Sequence, residues 1–452
     1  MHTTTTTTRL LLAATIALLA LAPLACSRNP APAPAALSDK DAASIRAVLK
    51  LVSNRQIHPI ADGDNTPVAT IAALEAARPP EGISWSYPWG VTLYGVIRAS
   101  DFLDDKSALD FALRHNDAVA RNFAFLAAAE KKFDTPATAA AWRSFLNNRS
   151  KNKIGGLMRL GHLDSCGAMG VQFLEGMLRH PDRVTPAHRA VVERIADWVV
   201  HKQERLPATS RWPGTFWREK SADGDRGFDI APQWPQGTIW IDDLYMGGTF
   251  LVRYYQFTKN EKHLDDAARQ IIAMADMVQD KDGIWLHAYS IPLDKRSPVK
   301  WSRANGWAMV STVECLSAMR TDHPLRPKLL DILRRHIDGI RSVQAPSGMW
   351  RQVLDDPSLW EETSGTAMFA YSIARAVNCG WVPATYLDSA RKAFAAICAN
   401  HITADGKVNG TCRGTNIGQD VAYYAARPRP DDELHGRGVF LLAGAELLAS
   451  RK

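Results

Sequence analysis

The residues of this sequence best suited to chemistry are carboxylates set beside tryptophan. Asp242 stands in Trp240-Ile241-Asp242-Asp243-Leu244, and Asp164 in His162-Leu163-Asp164-Ser165-Cys166-Gly167. An aspartate among apolar rings, with a second aspartate nearby, can keep a proton that solvent would otherwise strip, which general acid catalysis requires. Arg303, between Trp301 and Trp307, offers a planar fork suited to a carboxylate, and His287 lies in Trp285-Leu286-His287-Ala288-Tyr289. The chain has 14 tryptophans, most of them in connections and not inside helices, so aromatic faces are available to stack on sugar rings. Together these residues describe a cleft for an acidic carbohydrate. The alternatives stay open at this point. Asp164, Asp242, Ser364 and Asp432 all precede apolar helices and could be N-caps, a reading stronger for Ser364 and Asp432. Asp243 also reads as a cap, Arg303 fits a structural ion pair equally well, and a lone loop histidine such as His287 is often structural. There is no Gly-rich phosphate loop, His-Glu-x-x-His, Cys-x-x-Cys or Gly-x-Ser-x-Gly, so cofactor, metal and serine-nucleophile chemistry lack support and none is expected.

The elements that must position these residues are helices of two kinds. One kind is apolar nearly all round and starts with small residues: Gly90 to Phe102, Cys166 to Leu178, Leu244 to Phe257, Asn305 to Met319, Gly365 to Val377 and Leu434 to Leu448. The other is amphipathic: Ala42 to Ser53, Ala108 to Lys131, Pro186 to Arg205, Lys262 to Gln279, Pro327 to Val343 and Leu387 to Ala399. The two kinds alternate, and convincing period-2 strands are scarce. The pattern predicts an all-α fold in which six buried helices are ringed by six outer ones, an (α/α)6 toroid; an open solenoid is the alternative. In a toroid the connections entering the inner helices share one face, so Asp164, Asp242, Arg303 and their tryptophans would converge although they are far apart in sequence.

The remaining composition bounds the class. With 46% hydrophobic and 22% charged residues the chain is globular, and its net charge of +7 is not gathered into a block that would mark a nucleic-acid surface. Residues 1–26 read as a signal peptide, with an apolar run from Leu10 to Leu24, and residues 27–40 as a Pro/Ala-rich tether before a domain from 41 to 452. Cys26 after Leu24-Ala25 resembles a lipoprotein lipobox; plain secretion is the alternative. Export to the periplasm or outer envelope follows, with membrane contact only through that anchor. The five other cysteines are scattered and read as small buried hydrophobes.

At Trp240 to Met246, Trp301 to Trp307, Glu362 to Ala367 and Leu434 to Gly438 the sequence resembles glycoside hydrolase family 105, the unsaturated rhamnogalacturonyl hydrolases, and more distantly the unsaturated glucuronyl hydrolases of family 88. The resemblance implies an (α/α)6 barrel. It implies that Asp242 is the general acid/base, that Asp164 is the second active-site aspartate, and that Trp240, His287, Trp301, Arg303 and Trp307 contact substrate. The implied substrate is a lyase-generated pectin fragment ending in a 4,5-unsaturated galacturonate linked to rhamnose. Asp242 would protonate C4 and then activate water for attack at C5. The segment from Ser210 to Gly237, with Trp212, Trp217 and Trp234, looks like an elaboration of this member. The resemblance leaves three other readings: a glucuronyl hydrolase on other uronate chains, an inverting glycosidase on saturated sugars, and a non-catalytic sugar-binding toroid.

Overall fold

The structure is a computed structural model that describes residues 37–218 and 237–450. The signal-peptide region with Cys26, most of the tether, and Trp234 lie outside the described residues. The first described helix starts at Asp39, inside the stretch 27–40 read as tether, where Ser38 accepts a hydrogen bond from the Asp41 amide.

Twelve long helices among the described residues alternate between an outer and an inner ring. The odd-numbered helices are outer: α1 (Asp39–Asn54), α3 (Ser107–Phe133), α5 (Pro186–His201), α7 (Glu261–Val278), α9 (Arg326–Ser342) and α11 (Leu387–His401). The even-numbered are inner: α2 (Tyr87–Ala99), α4 (Gly167–Arg179), α6 (Phe250–Thr258, entered through a π-helical turn at Leu244–Thr249), α8 (Ser302–Ala318), α10 (Thr363–Asn378) and α12 (Leu434–Ala449). Each inner helix packs on the next, and α12 packs on α2, so the ring closes and the open solenoid is excluded.

Local sequence sets the ends of these helices. Thr185 and His188 form a capping box ahead of Pro186, and Asn260 caps α7 after Lys259 ends α6 in the left-handed region. Small residues let the inner helices touch backbone to backbone. A Cβ on Gly167 would stand 1.3 Å from the Met246 carbonyl oxygen, and one on Gly95 would stand 2.4 Å from that of Gly438. No helix among the described residues is long and apolar enough to cross a membrane.

The one departure from an all-helical chain among the described residues is a small antiparallel sheet, β1 (Thr238–Trp240), β2 (Ala288–Ser290) and β3 (Lys295–Arg296). Strands of two or three residues are too short for a period-2 pattern to show. Their register matters, because Trp240 pairs with Ala288 and the Ile241 amide donates to the His287 carbonyl at 3.3 Å. The sheet thereby sets the Asp242 segment beside His287.

The lower half of the inner ring holds charge. Arg253 is fully buried and donates to Glu175 at 2.8 Å and to Glu314 at 2.6 Å. Glu314 also accepts from the Tyr94 hydroxyl at 3.0 Å and from Tyr371, and Arg375 pairs with Glu446 at 2.6 Å. Tyr94, Glu175, Arg253, Glu314, Tyr371 and Glu446 come from α2, α4, α6, α8, α10 and α12, so the network crosses the whole ring. Burial opposes ionisation of Glu175 and Glu314, but the surrounding arginines outweigh it and hold both carboxyls below their ordinary value, Glu175 at about 2.

Two measurements test this picture. Replacing Glu314 by alanine should cost about 3–5 kcal/mol in a chemical-denaturation experiment, since Arg253 is left buried with one partner removed. The second concerns pH. His115 accepts at Nε2 from the Ser84 amide and the Trp89 indole, both at 3.1 Å, and burial pushes it from 6.5 down to about 4; burial pushes His336 down to about 3. The unfolded chain binds these protons first, so stability is lost as pH falls from 6.5 through 4 toward 3, with an upper bound of about 3 kcal/mol for His115 and about 5 kcal/mol for His336. Thermal melts from neutral to mildly acidic pH should show this decline beginning above the carboxylate range, with Glu175 adding to it below 4.5.

Candidate active site

Six connections enter the inner helices at one end of the ring, and each is joined to the next. The Trp85 indole donates to the Ser165 carbonyl at 2.6 Å, linking the first to the second. Arg218 bridges Asp164 and Asp243, linking the second to the third. Trp240 and Trp301 both pack on the His287 ring, at 5.9 and 4.7 Å. Arg303 reaches Ser364 at 3.3 Å, the Cys412 amide donates to Glu362 at 3.0 Å, and Tyr87 pairs with His435 to close the circuit. The predicted convergence of these loops is present.

Asp242 lies at the inner edge of this circuit, with 9% of its surface exposed. Its Oδ2 is 3.1 Å from His287 Nε2, and His287 Nδ1 is 2.7 Å from the Tyr424 hydroxyl, which accepts from the Gly418 amide at 3.0 Å. Asn305 supports this arrangement from α8. Its side chain accepts from the Trp285 amide at 2.8 Å and donates to the Trp285 carbonyl at 2.8 Å, pinning the strand that carries His287.

Asp164 is not a cap. It lies in the turn before α4, and its oxygens accept from Arg218 at 3.1 and 3.3 Å. Burial would push its carboxyl up, but Arg218, with His162 behind it, outweighs burial and holds it below the ordinary value. Asp243 is not a cap either, contrary to the sequence reading. It makes no capping hydrogen bond and instead takes the other edge of Arg218, at 2.6 and 3.1 Å. One guanidinium cannot fully compensate two carboxylates, and the more deeply buried of them bears the cost. Burial pushes Asp243 up to about 6, with Arg218 offsetting part of the rise.

The cap reading also fails at Ser364 and Asp432. Glu362 caps α10 by accepting from the Gly365 amide at 2.6 Å, and Ser364 donates to Glu362. Asp432 holds Arg55 and Arg437, at 3.1 and 2.8 Å.

The expected substrate-contacting residues are all present near this end, but closely packed. Trp240, His287, Trp301, Arg303 and Trp307 are each buried. Arg303 is not a free fork. It donates to the carbonyls of Cys412 at 2.6 Å and Arg413 at 2.8 Å, and its guanidinium lies 4.7 Å over the Trp301 ring. Trp307 packs on Tyr245 at 4.5 Å. Several connection tryptophans serve as struts, as when Trp350 donates to the Ile340 carbonyl at 2.6 Å.

The sequence reading missed Arg218, Tyr424, and the chain Tyr87–His435–Glu433, in which His435 Nδ1 is 2.7 Å from Glu433. Tyr87 opens α2 and His435 lies in the Leu434 to Gly438 stretch at the start of α12, so proximity to the inner-helix starts could have found them. Burial, with Arg303 adding to it, pushes His435 down to about 4, so its ring is neutral. Among the described residues no group of three or more His, Cys, Asp or Glu is arranged to hold a metal ion.

Residues 69–450 match the family model described as Glycosyl Hydrolase Family 88. Protein Atu3128 of Agrobacterium fabrum is 30% identical over a stretch that covers 45% of this chain and 98% of that protein. The unsaturated rhamnogalacturonyl hydrolase YesR of Bacillus subtilis is 28% identical over 47% of this chain and 60% of its own length. A possible member of the GH105 family from Salmonella enterica has the same fold, with a TM-score of 0.65 at 20% identity over 90% of this chain and 94% of that one. Closed helical ring, convergent carboxylates and a family match across most of the chain agree: this protein is a glycoside hydrolase belonging to glycosyl hydrolase family 88.

Proposed function

We propose that this enzyme removes a terminal 4,5-unsaturated uronic acid from lyase-generated oligosaccharides, with Asp242 as general acid and base. One observation carries the reading. Of the carboxylates in the circuit, Asp164 and Asp243 are held by Arg218, Glu362 caps α10, and Glu433 is bound to His435, whereas Asp242 is paired, among the described residues, with an imidazole. It is the acid whose proton can move without breaking a guanidinium pair. Asp242 donates its proton to C4, giving C5 oxocarbenium character; the carboxylate then takes a proton from water as the water oxygen bonds to C5. The hemiketal opens and releases the remaining sugar chain.

Unsaturated galacturonate on rhamnose is the favoured substrate, supported by the similarity to YesR over about half of this chain. A glucuronyl hydrolase on other uronate fragments is the second reading, favoured by the family model. An inverting glycosidase is disfavoured because it needs a second carboxylate free to activate water, and Asp164 is held in an ion pair. Export also belongs to the proposal, on the strength of the apolar run before Cys26.

Ultraviolet absorbance of the double bond should bleach when wild-type enzyme meets unsaturated rhamnogalacturonan disaccharide, more slowly with unsaturated glucuronyl disaccharides. Asp242→Asn should lower kcat by at least about 100-fold with little change in melting temperature. Binding without bleaching would instead support a sugar-binding toroid. For export, intact mass of the mature protein should show a lipid-modified N-terminus at Cys26; an unmodified N-terminus would leave plain secretion.

A further inference from the structure

The proposed reaction makes no direct use of Arg218, yet this side chain makes four hydrogen bonds to two carboxylates at the site. Its backbone pairs with Thr238 at the start of β1, with the Arg218 amide donating to the Thr238 carbonyl at 3.0 Å. Its guanidinium lies 4.3 Å over the Trp240 ring, in the same strand. Nε and one amino group grip Asp243, while both amino groups reach Asp164. A guanidinium has five N–H donors in a fixed fork, so a double bidentate grip of this kind sets where two carboxylates stand as well as their charge.

Other described arginines act as struts. Arg205 takes Asp266 at 2.8 Å and ties the same connection down to α7, at a distance from any reacting group. Arg218 differs in what its two carboxylates flank. Asp243 follows Asp242 directly in sequence, and Asp243 has both Asp164 and Asp242 as neighbouring charges.

We infer that Arg218 is a positioning residue for the reaction: it locks Asp164 and Asp243 on one guanidinium next to Asp242 and offsets their charge, so the proton of Asp242 answers to a fixed field. The inference rests on Asp242 being the general acid. Among the described residues the charged and titratable groups facing this trio are Arg218, His162 at 3.8 Å from Asp164, Cys166, His435, His287 and Tyr424 by Asp242, and Arg303 and Tyr87 across the circuit. Removing one positive charge from this set leaves three carboxylates crowded together, which favours protonation of each.

The test uses the full chain with Arg218→Gln and Arg218→Lys, read in two ways. In kinetics on an unsaturated disaccharide, Arg218→Gln should lower kcat by about 10- to 100-fold with a smaller effect on KM. The basic limb of its kcat/KM profile should move up by about one pH unit, because a general acid that has lost a cation holds its proton longer. Arg218→Lys should return that limb toward wild type while leaving kcat low, since an ammonium restores charge but not the double fork. In substrate-free melts, Asp164 and Asp243 without Arg218 titrate above their unfolded values, so the deficit of Arg218→Gln against wild type should widen as pH rises between about 5 and 8.

A widening melting deficit with an unmoved basic limb would make Arg218 a strut and overturn the inference. So would a deficit constant with pH, since the charge clamp itself would then be absent. A wild type that bleaches no unsaturated substrate would overturn the proposed reaction instead, and the melts would still read the clamp. If Arg218→Gln does not fold, Arg218→Lys decides by kinetics: a lowered kcat with the basic limb near wild type supports the inference, and a wild-type kcat overturns it.

Discussion

The closed ring depends on a buried charge network in its lower half. Apolar helices of similar size can slide and rotate past one another at little cost, because dispersion and burial have no direction. Charges buried among them cannot. Arg253 must meet Glu175 and Glu314 together, Glu314 must also meet Tyr94 and Tyr371, and Arg375 must meet Glu446. A slip of one helix by one turn would leave at least one buried charge unpaired, which is far more expensive than a repacked methyl group. The network therefore acts as a register lock across the inner ring, and the heights of the opposite, N-terminal helix ends follow from it.

Those ends carry the site, and the contrast between the two ends of the barrel is informative. Below, arginine and carboxylate are matched so closely that Glu175 and Glu314 stay ionised despite burial. Above, one guanidinium serves two aspartates, Arg303 is spent largely on carbonyl oxygens, and Asp242 is left with an imidazole. Saturated pairing suits a structural role, because nothing there needs to change protonation. Incomplete pairing costs stability, and in the proposed reaction that cost is what leaves Asp242 outside a guanidinium pair. The glycine contacts at Gly95 and Gly167 bring the inner helices close enough for both arrangements to form.

The ring was legible in the sequence because its signals are local and repeated. Apolar helices starting with small residues and amphipathic helices between them are visible within single windows, and all twelve expected segments overlap helices of the structure. The convergence of the loops then followed from topology alone. Pairings across long separations were not legible. Arg218 meets Asp164 from 54 positions away and Tyr424 meets His287 from 137, and no local pattern marks either partner. The caps misled for a related reason. Asp before a helix is a cap by default, but at Asp164, Asp243 and Asp432 an arginine from elsewhere competes for the same oxygens and wins, because a charge-assisted fork is stronger than a single amide. Tryptophan misled in degree: a ring in a connection can brace the connection as readily as it can face a ligand, and Trp85 and Trp350 do the former.

The imidazole beside Asp242 suits the proposed reaction, in which one carboxyl serves first as acid and then as base. A neutral ring has one donor and one acceptor, and either assignment fits the observed chain. With Asp242 ionised, His287 Nε2–H donates to it, and Nδ1 accepts from the Tyr424 hydroxyl, whose oxygen is free to accept from the Gly418 amide. With Asp242 protonated, the carboxyl donates to Nε2, and Nδ1–H donates to the Tyr424 oxygen, which has a second lone pair for it. Burial holds the Tyr424 phenol above its ordinary value, so it remains a hydroxyl in both cases. An arginine in the place of His287 could serve only the carboxylate, and a lysine likewise. A neutral histidine can meet Asp242 as a donor when the carboxylate is ionised and as an acceptor when it is protonated, which the proposed exchange of roles between acid and base requires.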